Sequence, residues 1–293
     1  MALFLSVLEQ GMIYGILALG VYITYKILDF PDLTVDGSFP FGAAITVRLI
    51  SNLGVPPILT LPISFLGGAL VGMCTGLIHV KLKVRDLLSG IIMMTGLYTM
   101  NLWVAGTGYV PIFNKENIFD NAVVNAICPS FLRNIKNVII IFLITMVAKY
   151  LLDWYLSTKS GFLLRAVGDN DTIVTSLGVD KGLVKIVGLS IANGLVSLSG
   201  CIYAQQQRSF EISIGTGAVV IGLASVIIGT SLFKKVSFLR VTASVIIGSI
   251  LYKACVALAM FAGIDANAIK LITAVLFLLI LVISMDRKKV KSC

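Results

Sequence analysis

The sequence predicts an all-α fold: a polytopic transmembrane helical bundle of about 8–9 spans, arranged as an inverted repeat with broken, re-entrant helices. Three observations lead there. The 293 residues are 58% hydrophobic and only 13% charged, with a mean hydropathy of +1.00, which no water-soluble core of this size requires. Apolar runs of the roughly 20 residues needed to cross a bilayer core recur along the chain. Two short polar motifs that echo each other interrupt this pattern, and each precedes an unusually short apolar segment.

Taken in order, the apolar segments fall at 3–28, 39–52, 60–80, 87–106, 136–157, 183–206, 217–233, 238–262 and 267–285, nine in all. The first lacks a basic leader and a small-residue cleavage site, so it reads as a helix rather than a removed signal peptide. Cationic residues gather after the odd-numbered segments: Lys26; Lys81, Lys83 and Arg85; Lys159, Arg165, Lys181 and Lys185; Lys234, Lys235 and Arg240; Arg287, Lys288, Lys289 and Lys291. By the positive-inside rule these connections and the C-terminus are cytoplasmic and the N-terminus is outside. Charge and composition do not identify an organism, and the lysine-rich tail and few prolines are unremarkable for the expected multi-pass protein of a bacterial plasma (inner) membrane. The net charge of +9 is thus explained at a lipid membrane and needs no nucleic acid. One transmembrane domain covers 1–293, with an outer connection at 107–135 and an inner one at 157–182.

Within the spans, Gly68, Gly72 and Gly76 form a ladder of small residues, as do Gly11 and Gly15, where backbones can approach closely. Such ladders serve packing inside one bundle or a dimer interface. Glu9, Arg48, Asn101, Asn193 and Lys253 are costly in hydrocarbon and so face the bundle or snorkel, more as helix glue than as solute contacts. His79 sits beside Lys81 and Lys83 and reads as interfacial. Cys74, Cys128, Cys201, Cys255 and Cys293 share no metal-ligand spacing, so neither disulfides nor a metal are expected. No cofactor is implied.

The first motif is "ILDFPDLTVDGSFPFGAA", Ile27 to Ala44, with Asp29, Asp32 and Asp36 close together. The segment after it, 39–52, has 14 residues, about 21 Å of helix, too short to cross. The second motif, "FEISIGTG", Phe210 to Gly217, matches the first when Pro31 is skipped: Phe30 with Phe210, Asp32 with Glu211, Leu33 with Ile212, Thr34 with Ser213 and Val35 with Ile214. By charge count one motif starts on the inner side and the other on the outer, as in an inverted-topology repeat whose half-helices point their N-termini at the midplane. Asp36 or Ser38 can cap the helix that follows, with Pro40 in its first turn. The motifs are expected to flank a substrate pathway formed by Thr34, Asp36, Ser38, Ser213 and Thr216, with loop-building and solute contact both open for the first three.

The inner connection, "STKSGFLLRAVGDNDTIVTSLGVDKGLVKI", Ser157 to Ile186, predicts a short helix with Phe162, Leu163, Ala166 and Val167 on one face. Asp169, Asn170 and Asp171 open a second, with Ile173, Val174 and Leu177 as its apolar side and Gly178 as its stop. Together with "DFPDLTVDGSFPFGAA" and "GLASVIIG", Gly222 to Gly229, this segment resembles the permease subunits of ATP-binding-cassette (ABC) importers of the branched-chain amino acid and ribose permease superfamily. The wording "DLTVDGSFPFGAA" is most similar to the aromatic amino acid (tryptophan or tyrosine) branch, and the resemblance covers nearly the whole chain.

That resemblance implies a coupling helix in Arg165–Gly178 that docks on a cytosolic ABC ATPase. Ile173, Val174 and Leu177 would enter an ATPase groove, Arg165, Asp169, Asn170 and Asp171 would meet its rim, and Gly178 would end the surface. An alternative keeps Arg165 tied to its own bundle. Further implied partners are an extracellular or periplasmic substrate-binding protein and a second permease chain as a homodimer. The sequence carries no GxxxxGK[ST] loop, so ATP hydrolysis is expected on a separate subunit and the chain is read as a transport subunit, not an enzyme. The expected cargo is a small, aromatic amino acid. The alternative class is an ion-coupled secondary transporter, which also uses inverted repeats and broken helices.

Overall fold

The computed structural model describes residues 2–121, 135–170, 174–175, 178–234 and 239–261, with Leu271, Ala274, Val275, Leu278 and Val282. It is a helical membrane bundle, as the apolar segments predict. The helices are α1 (Ala2–Val21), continued by a π-helical turn (Tyr22–Ile27), α2 (Val35–Asn52), α3 (Thr60–Lys81) and α4 (Asp86–Ala105). After strand β1 (Tyr109–Pro111) come α5 (Lys136–Leu156), α6 (Lys159–Asp169) and α7 (Lys181–Gln207). Strand β2 (Ser209–Glu211) and a 3-10 turn (Ile212–Gly215) lead into α8 (Ala218–Leu232), and α9 (Val241–Phe261) follows.

Among the described residues, seven helical stretches are long and apolar enough to cross a membrane, and α2 is not one of them. Its 18 residues extend only about 27 Å, and they carry Asp36, Ser38 and Arg48. The segment expected at 267–285 lies largely outside the described residues. The connection at 107–135 contributes something the periodicity does not announce: β1 pairs antiparallel with β2, Tyr109 opposite Glu211 and Pro111 opposite Ser209.

The centre of the bundle is α7, whose middle turns are almost wholly buried. The glycine ladder of α3 lies against it. A Cβ at Gly68 would collide with Ser197 and the Asn193 carbonyl, one at Gly72 with the Leu189 carbonyl, and one at Gly76 would come within 2.9 Å of Ile186. The ladder therefore serves packing inside one chain, where van der Waals fit replaces a hydrophobic drive. Gly11 and Gly15 do the same for α1 against Ile250 and Ile246 of α9. Buried hydroxyls close the remaining seams: Ser199 donates to the Ile13 carbonyl at 2.6 Å and Ser249 to the Gly11 carbonyl at 2.8 Å. On the periphery, Phe142, Leu143, Leu151 and Trp154 of α5 stay exposed, as lipid-facing residues do.

Two of the polar residues in the spans find partners within the bundle, and one stays at its surface. Glu9 accepts from Gln206 Nε2 at 3.0 Å, Lys253 places Nζ 3.7 Å from the centre of the Tyr14 ring, and Arg48 is exposed. His79 Nδ1 lies 2.9 Å from the Val84 carbonyl oxygen, with the Phe30 ring edge-on at 5.2 Å.

Candidate functional site at two helix breaks

The first break begins where α1 widens into its π turn, a local change in helical winding that recurs at functional positions. Leu28 N–H donates to the Ile23 carbonyl and Phe30 N–H to the Thr24 carbonyl, both at 2.9 Å, and Asp29 takes a left-handed φ of +51°. The chain then folds back into the protein, with Phe30 and Asp32 buried. Asp32 Oδ1 accepts the Thr34 N–H at 2.9 Å, and its Oδ2 accepts from Asn193 Nδ2 at 2.7 Å. Asn193 Oδ1 in turn accepts from Ser38 Oγ at 2.7 Å. This closed chain of bonds fastens the start of α2 to α7 and satisfies every buried partner it joins.

The helix starts at Val35, four residues before the expected 39, with Thr34 at its cap position and no side-chain capping bond. Neither Asp36 nor Ser38 caps α2, contrary to the expectation. Asp36 reaches across the fold instead: its Oδ2 accepts the Gly217 N–H at 3.1 Å and its Oδ1 the Val219 N–H at 2.8 Å. The carboxylate thus caps α8, the helix that follows the second motif, and its charge complements that helix's positive end. Pro40 has no N–H to give the Asp36 carbonyl, and the Gly215 backbone fills that space, since a Cβ on Gly215 would run into that oxygen and the Pro40 ring.

A cavity of about 470 Å³ opens beside this junction. Asp36, Gly37 and Pro40 form one wall, Ile212, Ser213 and Thr216 another. The third wall is the Met94, Thr95, Tyr98 and Asn101 face of α4. Asn101 is buried and donates from Nδ2 to the Gly37 carbonyl at 3.2 Å, while its Oδ1 has no hydrogen-bond partner among the described residues.

Of the five residues expected along the pathway, the structure brings Asp36, Ser213 and Thr216 to the cavity. Thr34 and Ser38 lie elsewhere: both are fully buried, Thr34 Oγ1 at 3.1 Å from Thr75 Oγ1 and Ser38 on Asn193. They sit on the opposite face of the break, which packs on α3 and α7. The α4 wall was missed as a site, although Thr95, Tyr98 and Asn101 recur at a spacing of three in a largely apolar helix.

On the connection at 157–182, α6 (Lys159–Asp169) is capped by Thr158, whose Oγ1 accepts the Gly161 N–H at 3.4 Å. Its buried side is Gly161, Leu164 and Val167, so the expected face of Phe162, Leu163, Ala166 and Val167 is rotated; Phe162 is 60% exposed. Arg165, Asp169, Asn170 and Gly178 are exposed, and Gly178 has the left-handed φ of +75° that suits a helix stop. Val174, expected as an outward anchor, is instead fully buried in its own chain. Asp171, Ile173 and Leu177 lie outside the described residues. Gly168 packs so closely on the π turn that a Cβ would strike the Ile27 carbonyl, and Leu164 and Leu28 both close on Gly188 of α7.

A polytopic bundle in which a helix break and the start of a second helix meet beside a cavity has the design of a membrane permease. The chain belongs to the family described as the permease component of the branched-chain amino acid transport system, matching it over residues 3–284. It is 39% identical over 274 residues to a tyrosine transport system permease protein of Clostridioides difficile, covering 94% of this chain and 88% of that one. It is 26% identical to a probable branched-chain amino acid transport permease protein of Methanocaldococcus jannaschii, over 73% of this chain and 70% of the relative. A ribose import permease protein of Haemophilus influenzae is also 26% identical, over 78% of this chain and 69% of that one. No solved structure matches the chain.

Proposed function

We propose that the chain is the transmembrane permease subunit of an ATP-driven ABC importer that carries a small amino acid, of the aromatic class, into the cell. The observation that carries the reading is the junction at Asp36, where the starts of two broken helices meet beside a cavity in a chain of an amino acid permease family. The aromatic class draws support from the relative named for tyrosine transport, and Tyr98, Met94 and Pro40 give the cavity apolar surface for a ring. Partners in this reading are cytosolic ABC ATPase subunits, an outer substrate-binding protein and a second copy of the chain, with the N-terminus outside and the C-terminus cytoplasmic.

The coupling route follows from packing. An ATPase that grips the exposed Phe162, Arg165, Asp169 and Asn170 of the inner connection moves α6. Gly168 passes that movement to the π turn, and the turn leads within a few residues to Asp32 and Asp36. Rigid, close contacts of this kind transmit displacement because packed interiors deform little. The acidic rim and the Phe162 face replace Val174 as the contact surface, since Val174 is enclosed.

Reconstitution into liposomes with the partner ATPase and binding protein tests this. Uptake of labelled tyrosine that requires ATP and both partners is the expected outcome. Uptake driven by an ion gradient without them would support a secondary transporter and overturn the proposal.

A further inference from the structure

We propose that the cavity beside Asp36 recognises the protonated amino group of its solute, with Asn101 Oδ1 and the Asp36 carboxylate as the accepting oxygens. This deepens, and rests on, the reading of the cavity as part of the solute pathway. The charge pattern supplies the chemistry. Asp36 is the only carboxylate among the described residues of the cavity wall, which include no lysine, arginine or histidine to balance a solute carboxylate. Its two oxygens already accept one backbone N–H each, but a carboxylate offers about four acceptor positions, so capacity remains.

Asn101 adds the second observation. A buried acceptor without a donor among the described residues is costly, so it calls for an explanation. The orientation of the amide is fixed by the bond from Nδ2 to the Gly37 carbonyl, which a flipped amide could not make. Oδ1 is therefore the atom left to accept, and a solute ammonium with three donors suits an amide oxygen and a carboxylate on two walls of one cavity. Met94, Pro40 and Ile212 leave the rest of the cavity suited to an apolar side chain. Tyr98, Ser213 and Thr216 provide hydroxyls for the uncharged or weakly held end.

The test uses the complex of the permease with its ATPase in lipid nanodiscs, with Ser213→Cys as the single cysteine and a water-soluble maleimide as reporter. Tyrosine, tyramine and the des-amino analogue of tyrosine are the probes. Tyrosine and tyramine are expected to slow labelling, and the des-amino analogue to leave it unchanged. Asn101→Leu should raise the concentration of tyramine needed for protection by about tenfold, the order expected for a hydrogen bond to a charged group. Asn101→Asp keeps an acceptor while losing the donor to Gly37, so it should retain protection. Asn101→Asp failing as Asn101→Leu does would assign the residue to holding Gly37 and overturn the proposal. Equal protection by the des-amino analogue, or none by either amine, would overturn it as well. ATP-driven uptake of tyrosine by the same unmodified complex separates the two levels. With uptake intact, a negative labelling result overturns amine recognition alone; without uptake, the importer reading falls with it.

Discussion

The two breaks share a sequence echo and are held in different ways. In the first, Asp32 is buried and its carboxylate joins Thr34 and Asn193, so the turn is bolted to α7 from within. In the second, the matching Glu211 is exposed; it accepts from Ser213 Oγ where Asp32 accepts the Thr34 backbone N–H, and it makes no side-chain hydrogen bond to an α-helix among the described residues. What holds the second break is a pair of three-residue strands and the Asp36 carboxylate at the start of α8. The difference teaches that one motif can be fixed scaffold while its counterpart stays the part free to shift. The Asp36 bonds to Gly217 and Val219 are where such a shift would be felt.

The largest effect is expected from unbolting the first break. Asn193→Leu removes the donor to Asp32 and the acceptor for Ser38, leaving a buried carboxylate short of a partner. A loss on the order of 3 kcal/mol in stability follows, seen as a lowered unfolding temperature of the purified permease. Unchanged stability would mean the first break is not bolted. Next comes Asp36→Ala, which strips the cap from α8 while leaving the first break's own bonds intact. About 1 kcal/mol of stability is at stake from the cap, so normal expression with strongly reduced uptake is the expected result. Loss of folded protein would place Asp36 in the scaffold with Asp32. The smallest effect is expected at the outer edge of the second break, where Arg208 pairs with Asp120 at 2.9 Å and both side chains are more than a third exposed. Arg208→Ala should cost less than about 1 kcal/mol, measured by thermal unfolding at low and high salt, with the difference shrinking as salt rises.

Hydropathy made the bundle legible because each span must satisfy its backbone internally and face lipid on one side. The break at residues 28–38 was legible too, since three aspartates, a proline and a glycine cannot lie in hydrocarbon unprotected. What Asp36 does was not. Capping rules look a few residues ahead, and Asp36 acts on a helix that starts 182 residues later, at Ala218. The β1–β2 pair was hidden for the same reason, its two strands of three residues each being defined by each other and not by their own pattern. The rotation of α6 shows a further limit: with this helix packed on the π turn, small Gly161 and Gly168 face inward and bulky Phe162 faces out. A tally of apolar residues selects the bulky one for burial.

The central claim, that the first break travels as a fixed body while the second makes and breaks its bonds, is tested most directly by hydrogen–deuterium exchange. The permease in complex with its ATPase would be compared with and without a trapped nucleotide state. Peptides covering 209–219 should change their exchange between the two states, with the Gly217 and Val219 amides leading, and peptides covering 28–38 should stay equally protected in both. Altered protection at 28–38 with 209–219 unchanged would contradict the account.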